Sequence, residues 1–125
     1  MTGLSLEPDP ADGLSAKRAR ALLHAVLGRA GRSERTRRLA ALRRGAAATG
    51  AVPEPDPGEL GAAAGLVDKV ARHAYRITDE DVAALEGAGV SEDEAFDAIV
   101  ATAVGAGLAR RAIGLDAVGR WERQR

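Results

Sequence analysis

The sequence has no cysteine, and this absence excludes several kinds of chemistry together. Disulfides, thiolate nucleophiles and cysteine-bound metals all need a side chain that the chain does not carry. Only two histidines are present, His24 and His73, and neither has a partner at helical spacing that would complete a metal site. We therefore expect neither a metal nor a cofactor.

Aromatic residues are almost as scarce, at 2% of the chain against 46% for all hydrophobic residues. The core must then be made of alanine, leucine, valine and glycine, which let helices approach closely but bury little area each. A length of 125 residues suits one domain. Because a partner subunit could supply the missing apolar area, we expect a homo-oligomer.

The net charge is zero, so no overall charge attracts the chain to nucleic acid or to anionic lipid. Residues 1–13 lack the basic start and the apolar run of a secretory signal. The longest apolar run, residues 98–109, is far shorter than the ~20 residues of a membrane helix. We expect a cytoplasmic protein without a membrane partner, and the alanine, arginine and glycine content suggests a bacterial genome rich in GC.

The periodicity of the chain predicts an all-α fold, a bundle of about five helices with a long buried C-terminal helix. Five segments are expected, and they are a disordered acidic leader (1–13), basic N-terminal helices (14–50), a Pro-rich linker (51–57), a helical core (58–120) and a polar tail (121–125). The first helix should begin at Ser15 and end near Gly31, and Ser33 should cap a second helix with a thin apolar face.

The last three helices have clearer start signals. Asp56 and Pro57 open the third helix, which should end near residue 75 or 76. Thr78 should cap the fourth helix in a capping box with Asp81, and that helix should stop between residues 87 and 89. Ser91 should cap the fifth helix, with residue 94 completing a second capping box.

The fifth helix is the most hydrophobic segment. Its predicted core stripe is Phe96, Ile99, Val100, Ala103 and Gly107, continued by Leu115 and Val118. Glycine inside a helix costs about 1 kcal/mol relative to alanine, so Gly105 and Gly107 predict close approach of another backbone. Gly114 is expected to end or kink the helix.

Charge is distributed unevenly along the chain. Residues 14–50 contain ten basic residues and one acid, whereas residues 78–97 contain eight acids and no base. One interpretation is a nucleic-acid surface on the N-terminal helices. The favoured alternative is complementarity between a basic and an acidic half, within one subunit or between subunits. A helix-turn-helix in the fourth and fifth helices is disfavoured, because its second helix would present acids to phosphates.

Four residues are candidates for a site. His73 is a candidate general base, although a surface position is favoured. Arg110 and Arg111 fall near the predicted stripe of the fifth helix, where arginines either hold an anion, pair across an interface or lie past the end of the core. Tyr75, at the edge of the third helix, completes a weak candidate set for small-molecule binding.

Residues 89–99 (GVSEDEAFDAI) and 108–119 (LARRAIGLDAVG) resemble the alkylhydroperoxidase D / carboxymuconolactone decarboxylase superfamily. The resemblance implies an all-helical subunit that assembles into oligomers, with Arg110 or Arg111 at the position of a family arginine. Redox members carry a Cys-x-x-Cys-x-x-x-His motif, whose positions fall here on Ala74, Ile77 and Asp81. Thiol peroxidase chemistry is therefore not expected.

Three functions follow as expectations. The first is a non-redox oligomeric protein that binds a small molecule or serves assembly. The second is a nucleic-acid-associated protein that uses the basic N-terminal helices. The third and weakest is a cysteine-free enzyme of the decarboxylase type with His73 as its base, so catalysis itself stays open.

Overall fold

A computed structural model describes residues 6–9, 11, 13–28, 32–50 and 52–125, excluding the side chains of residues 32–34, 57 and 75. Within these residues the protein is all-helical, which confirms the predicted fold class. The five α-helices are α1 (Leu14–Leu27), α2 (Arg32–Ala47), α3 (Ala64–His73), α4 (Asp79–Gly87) and α5 (Glu92–Gln124).

The first helix is shorter than expected at its C-terminal end. α1 begins beside Gly13 rather than at the predicted cap Ser15, and it ends where the Gly28 N–H donates to the His24 carbonyl oxygen at 2.8 Å. The predicted stop at Gly31 lies outside the described residues, as does the side chain of the predicted cap Ser33.

The third helix starts later than its cap signal. Asp56 does act as a cap, since its carboxylate accepts from the Gly58 N–H at 2.9 Å. The chain then runs through two 3₁₀ turns, Pro57–Glu59 and Gly61–Ala63, before α3 begins. Gly61 has a φ of 55°, which lies in the left-handed region and interrupts a right-handed helix.

α4 begins with a complete capping box, whereas α5 begins with half of one. The Thr78–Asp81 capping box is complete, with each side chain accepting from the backbone N–H of the other residue, at 3.3 and 2.9 Å. Ser91 accepts from the Glu94 N–H at 3.1 Å, as predicted. The Glu94 carboxylate instead accepts from Arg37 of α2 at 3.0 Å, so the second capping box is half formed.

The centre of the fold is the contact between α2 and α5. Residues 40–47 of α2 are all buried except Arg43, so the prediction of a thin apolar face was wrong. A Cβ on Gly105 would lie 1.9 Å from the Leu42 carbonyl oxygen, and one on Gly45 would lie 2.0 Å from the Thr102 carbonyl oxygen. The two backbones therefore touch, which confirms the close approach expected at Gly105. The same expectation at Gly107 was wrong, because a Cβ there would meet nothing within 4 Å.

This contact sets which side of α5 faces the protein. The buried residues of α5 are Ala95, Ala98, Ala101, Thr102, Gly105, Ala106, Leu108 and Ala109. The predicted core stripe was therefore largely wrong: Phe96, Ala103 and Gly107 are exposed, and Ile99 and Val100 are only half-buried. The small residues lie inside because only they allow the two backbones to meet.

The predicted end or kink at Gly114 was wrong, because α5 continues as one helix to Gln124. Ile113 is partly buried against the cluster of Ala46 and Ala109. From residue 114 onward every residue is exposed except the half-buried Gly119. The long C-terminal helix is thus buried over its first half only, and the expected continuation of the core at Leu115 and Val118 was wrong.

Candidate functional site

The four residues proposed from sequence as a site lie far apart along the direction of the α5 axis. His73 is the exposed last residue of α3, and Tyr75 follows in a 3₁₀ turn, with its side chain outside the described part. The last turns of α3 pack on the start of α5, where Val70 shares a cluster with Ala95. Arg110, which is exposed, and Arg111, which is half-buried, lie about 22 Å further along the helix axis. The structure therefore does not bring the four candidates together.

The hollows found on the described surface are shallow and lie away from His73, Arg110 and Arg111. Five hollows along the described residues hold about 10, 290, 310, 450 and 360 Å³. The smallest, between α2 and the first turns of α5, has room for about one water molecule. The four larger ones are open to solvent, whereas small-molecule sites enclose most of the ligand surface. His73, Arg110 and Arg111 line none of these five.

Two arginines of the basic region are part of the protein interior. Arg38 is 3% exposed and Arg44 is 6% exposed. Arg38 donates to the Leu27 carbonyl oxygen at 3.3 Å, and the Arg44 Nε donates to the Asp68 carboxylate at 3.0 Å. Arg44 also lies 3.7 Å from the Glu54 carboxylate. Since a buried charge needs partners, these arginines hold α2 to the end of α1 and to α3.

A third arginine connects the basic and acidic regions directly. Arg37 donates to Glu94 at 3.0 Å, with both side chains about one third exposed. This pair is one contact of the kind expected from complementarity between the two halves. Of the ten basic residues predicted as a nucleic-acid surface, Arg37, Arg38 and Arg44 therefore have structural contacts, and Arg20 pairs with Glu7 at 3.1 Å. The described basic side chains that stay exposed are Lys17, Arg18, Arg35 and Arg43.

Two carboxylates have a lowered pKa because neighbouring groups donate hydrogen bonds to them and cations lie close by. The Lys69 ammonium, 2.8 Å from Asp81, and the Thr78 backbone N–H lower the pKa of Asp81. The His24 ring, 3.0 Å from Glu7, lowers the pKa of Glu7, with a further contribution from Arg20 at 3.1 Å. A general acid needs a raised pKa, so the contacts of Glu7 and Asp81 serve the structure rather than acid catalysis.

The most prominent surface feature is one side of α5, here named the outer face. Its residues, in alternating steps of three and four, are Phe96, Val100, Ala103, Gly107, Arg110, Gly114, Ala117 with Val118, and Trp121. All of these are exposed except the half-buried Val100. Phe96, Val118 and Trp121 are 60%, 53% and 59% exposed. Sustained alternation of this kind is typical of a helix that packs against another helix.

The alternating steps of the outer face were visible in the sequence, but the sequence analysis assigned these residues to the core.

Among the described helices, α5 is the one long and apolar enough to cross a membrane by length and composition, and 39% of its most apolar stretch is buried. Core helices can pass the same test. Asp97 and Arg110 bound its uncharged run, residues 98–109.

The sequence indicated a close backbone approach at Gly105, but it did not identify Gly45 or α2 as the partner, and it did not identify the buried arginines, because these contacts join residues far apart in the chain. The resemblance to the alkylhydroperoxidase D superfamily stays a prediction. Comparisons of the chain with family models, with curated proteins and with solved structures found no match.

Proposed function

We propose that this chain is a non-redox assembly protein whose subunits associate through the outer face of α5. The observation that carries the proposal is the exposure of Phe96, Val118 and Trp121 on one side of a single helix. Burying a large apolar side chain contributes about 1.5–3 kcal/mol, so a partner that covers this face gains substantial free energy.

A second copy of the same chain is the proposed partner. Residues 114–124 of α5 extend past the last packed residue, Ile113, and form an exposed helical segment about 16 Å long. The part of the outer face that lies on the body, from Phe96 to Gly107, has a similar length of about 17 Å. The free end of one copy therefore matches the uncovered half of the other in length and in apolar character.

The other sequence-based expectations have less support. Small-molecule binding near Tyr75, Arg110 and Arg111 lacks an enclosing cavity among the hollows described above. A decarboxylase-type enzyme would need a substrate pocket at His73, which is an exposed residue at the end of α3. Arg38 and Arg44, the two buried arginines of α2, could not contribute to a nucleic-acid surface.

The test is the mass of the purified protein over a wide range of concentration, by sedimentation velocity and native mass spectrometry. We expect an oligomer that dissociates on dilution. The double variant Val118→Ser/Trp121→Ser should be monomeric at concentrations where the wild type is associated. Leu22→Ser is the matched control, because Leu22 is 50% exposed but lies on α1; it should associate like the wild type.

Three outcomes would contradict the proposal. A wild-type protein that is monomeric at the highest attainable concentration would exclude self-association. Co-purified nucleic acid that dissociates steeply with salt would favour the basic N-terminal helices as the functional surface. Recovery of the protein in the membrane fraction, with α5 protected from protease, would favour insertion of that helix into lipid.

A further inference from the structure

Building on the proposed self-association, we infer that two copies pair their α5 helices in an antiparallel, two-fold symmetric arrangement. The centre of the pairing lies midway between Leu108 and Ala109. Phe96 of each copy then lies beside Trp121 of the other, and Ala103 lies beside Gly114. The inference names the partner, the orientation and the register of the assembly.

The sizes of the residues on the outer face fit two helices that cross. Phe96 and Val100 lie near one end, and Val118 and Trp121 lie near the other. The residues between them are small or glycine, apart from one arginine, and they are Ala103, Gly107, Arg110, Gly114 and Ala117. Two crossing helices are closest at the middle and separate towards both ends. Small residues at the middle and large ones at the ends follow that shape.

Charge decides the orientation of the pair. The first two turns of α5 carry four acids, Glu92, Asp93, Glu94 and Asp97, and no base. The last turns carry Arg120, Arg123 and Arg125 with one acid, Glu122. A parallel pair would place acids beside acids and arginines beside arginines. An antiparallel pair places acids beside arginines and opposes the two helix dipoles, and complementary charge of this kind specifies orientation.

The shape of the body supports the same orientation. On the first half of α5 the outer face borders α1, where Val100 and Asp97 line a hollow with Ala25 and Val26. In a parallel pair the first half of the outer face, which lies beside α1, would have to meet the same half of the other copy, which also lies beside α1. In an antiparallel pair it meets the free end of the partner helix, which has solvent around it.

Arg110 lies close to the centre of the proposed pair, beside Gly107 of the other copy. A Cβ on Gly107 would have nothing within 4 Å in the single subunit, so the aliphatic stem of Arg110 has room to pass and its guanidinium can reach water. A charged residue within such a contact lowers stability, but it disfavours registers that would bury it. Arg110 thereby helps to specify the register.

Engineered cysteines can test the orientation, because the native chain has no cysteine that could form a competing disulfide. The single variants Ala103→Cys and Gly114→Cys change exposed positions of the outer face. In the antiparallel pair identical positions are about 16 Å apart along the axis, which is too far for a disulfide, whereas residues 103 and 114 are adjacent. Ala21→Cys, at an exposed position of α1, is the control for random collision.

The two outer-face variants are oxidised separately and after mixing under reducing conditions, and products are resolved on non-reducing gels and by mass spectrometry. Helicity is checked by circular dichroism, and association by sedimentation. We expect the mixed 103–114 disulfide to be the dominant product of the mixture, with each variant alone and the Ala21→Cys control remaining largely uncrosslinked.

The possible failures are distinguishable. Efficient crosslinking of each variant with itself would overturn the antiparallel orientation and leave self-association through α5 intact. A stable dimer in which none of these positions crosslinks would overturn the α5 contact. A monomer at all concentrations would overturn the proposed function together with this inference.

Discussion

At the scale of single residues, two glycines decide which side of α5 faces the protein. A methyl group on Gly105 would overlap a carbonyl oxygen of α2, and one on Gly45 would overlap a carbonyl oxygen of α5. Gly107 and Gly114 lie on the same helix as Gly105, yet an added Cβ there would meet nothing within 4 Å. The role of a helical glycine thus depends on the element opposite it, because the residue itself is the same at all of these positions.

The variant Gly105→Ala tests this contact. Added volume in a tightly packed core costs about 1–3 kcal/mol or more, and here the obstacle is backbone, which cannot move aside without shifting a helix. Gly65→Ala in α3 is the matched control, because a Cβ there meets nothing within 4 Å. The control should gain up to ~1 kcal/mol of helix stability. Urea unfolding followed by circular dichroism measures both, and equal midpoints for the two variants would contradict the contact.

At the scale of elements, one carboxylate both starts α4 and attaches it to α3. Asp81 accepts from the Lys69 ammonium at 2.8 Å, the Thr78 N–H at 2.9 Å and the Thr78 hydroxyl at 3.2 Å. A helix of only nine residues is unstable alone, so α4 depends on such contacts and on packing of Leu85. The lowered pKa of Asp81 makes this dependence measurable.

The variant Asp81→Asn should reveal a pH-dependent part of the stability. Because the folded pKa of Asp81 lies below the unfolded value of about 3.9, its charge stabilises the protein above that pH and ceases to do so as pH falls through the folded pKa. The difference in free energy of unfolding between wild type and variant should therefore be largest near neutral pH and should shrink in acid. Urea titrations across this pH range measure it.

Lys69→Met provides the control, since it keeps the aliphatic stem and removes the cation that contributes most to the lowered pKa of Asp81. In that background the substitution of Asp81 should show a weaker pH dependence. A wild-type to Asp81→Asn difference that stays constant from neutral pH to strong acid would show that the carboxylate charge does not contribute to stability.

At the scale of the whole molecule, the apolar residues are divided between a core of alanine, leucine and valine and the outer face of α5. Its largest side chains among the described residues are leucines, such as Leu42 at 2% and Leu60 at 4% exposure. Larger apolar groups, Phe96 and Trp121, lie on the surface. Because Phe96 and Trp121 lie outside the core, the protein gains apolar contact area by covering them in an assembly.

Trp121 makes that assembly observable, because it is the one tryptophan of the chain. Its ring is 59% exposed in the subunit, with the Arg125 guanidinium 4.9 Å from its centroid. On association its emission should shift to shorter wavelength, since the ring leaves water to pack beside Phe96 of the partner. The shift and the mass should change with concentration at the same midpoint, and Phe96→Ser should move both midpoints to higher concentration. An emission spectrum independent of concentration, in a protein shown to dimerise, would place the interface elsewhere.

The sequence by itself determined the features that depend on neighbouring residues. The helical class, the Thr78 cap with Asp81, the Ser91 cap and the end of α4 near Gly87 were all correctly predicted. Each of these depends on residues within a few positions of one another, so the residue pattern contains the cause. The outer face itself was also present in the sequence, as alternating steps of three and four residues.

Only the tertiary structure decided which side of α5 is buried. The helix is apolar on both sides, so periodicity alone does not rank one side over the other, and the larger residues were wrongly placed inside. The contact of Gly45 and Gly105, the burial of Arg44 against Asp68 and the pairing of Glu94 with Arg37 join residues far apart in the chain. Close backbone packing between α2 and α5 outweighed the larger hydrophobic area of Phe96, and this contact leaves the outer face exposed.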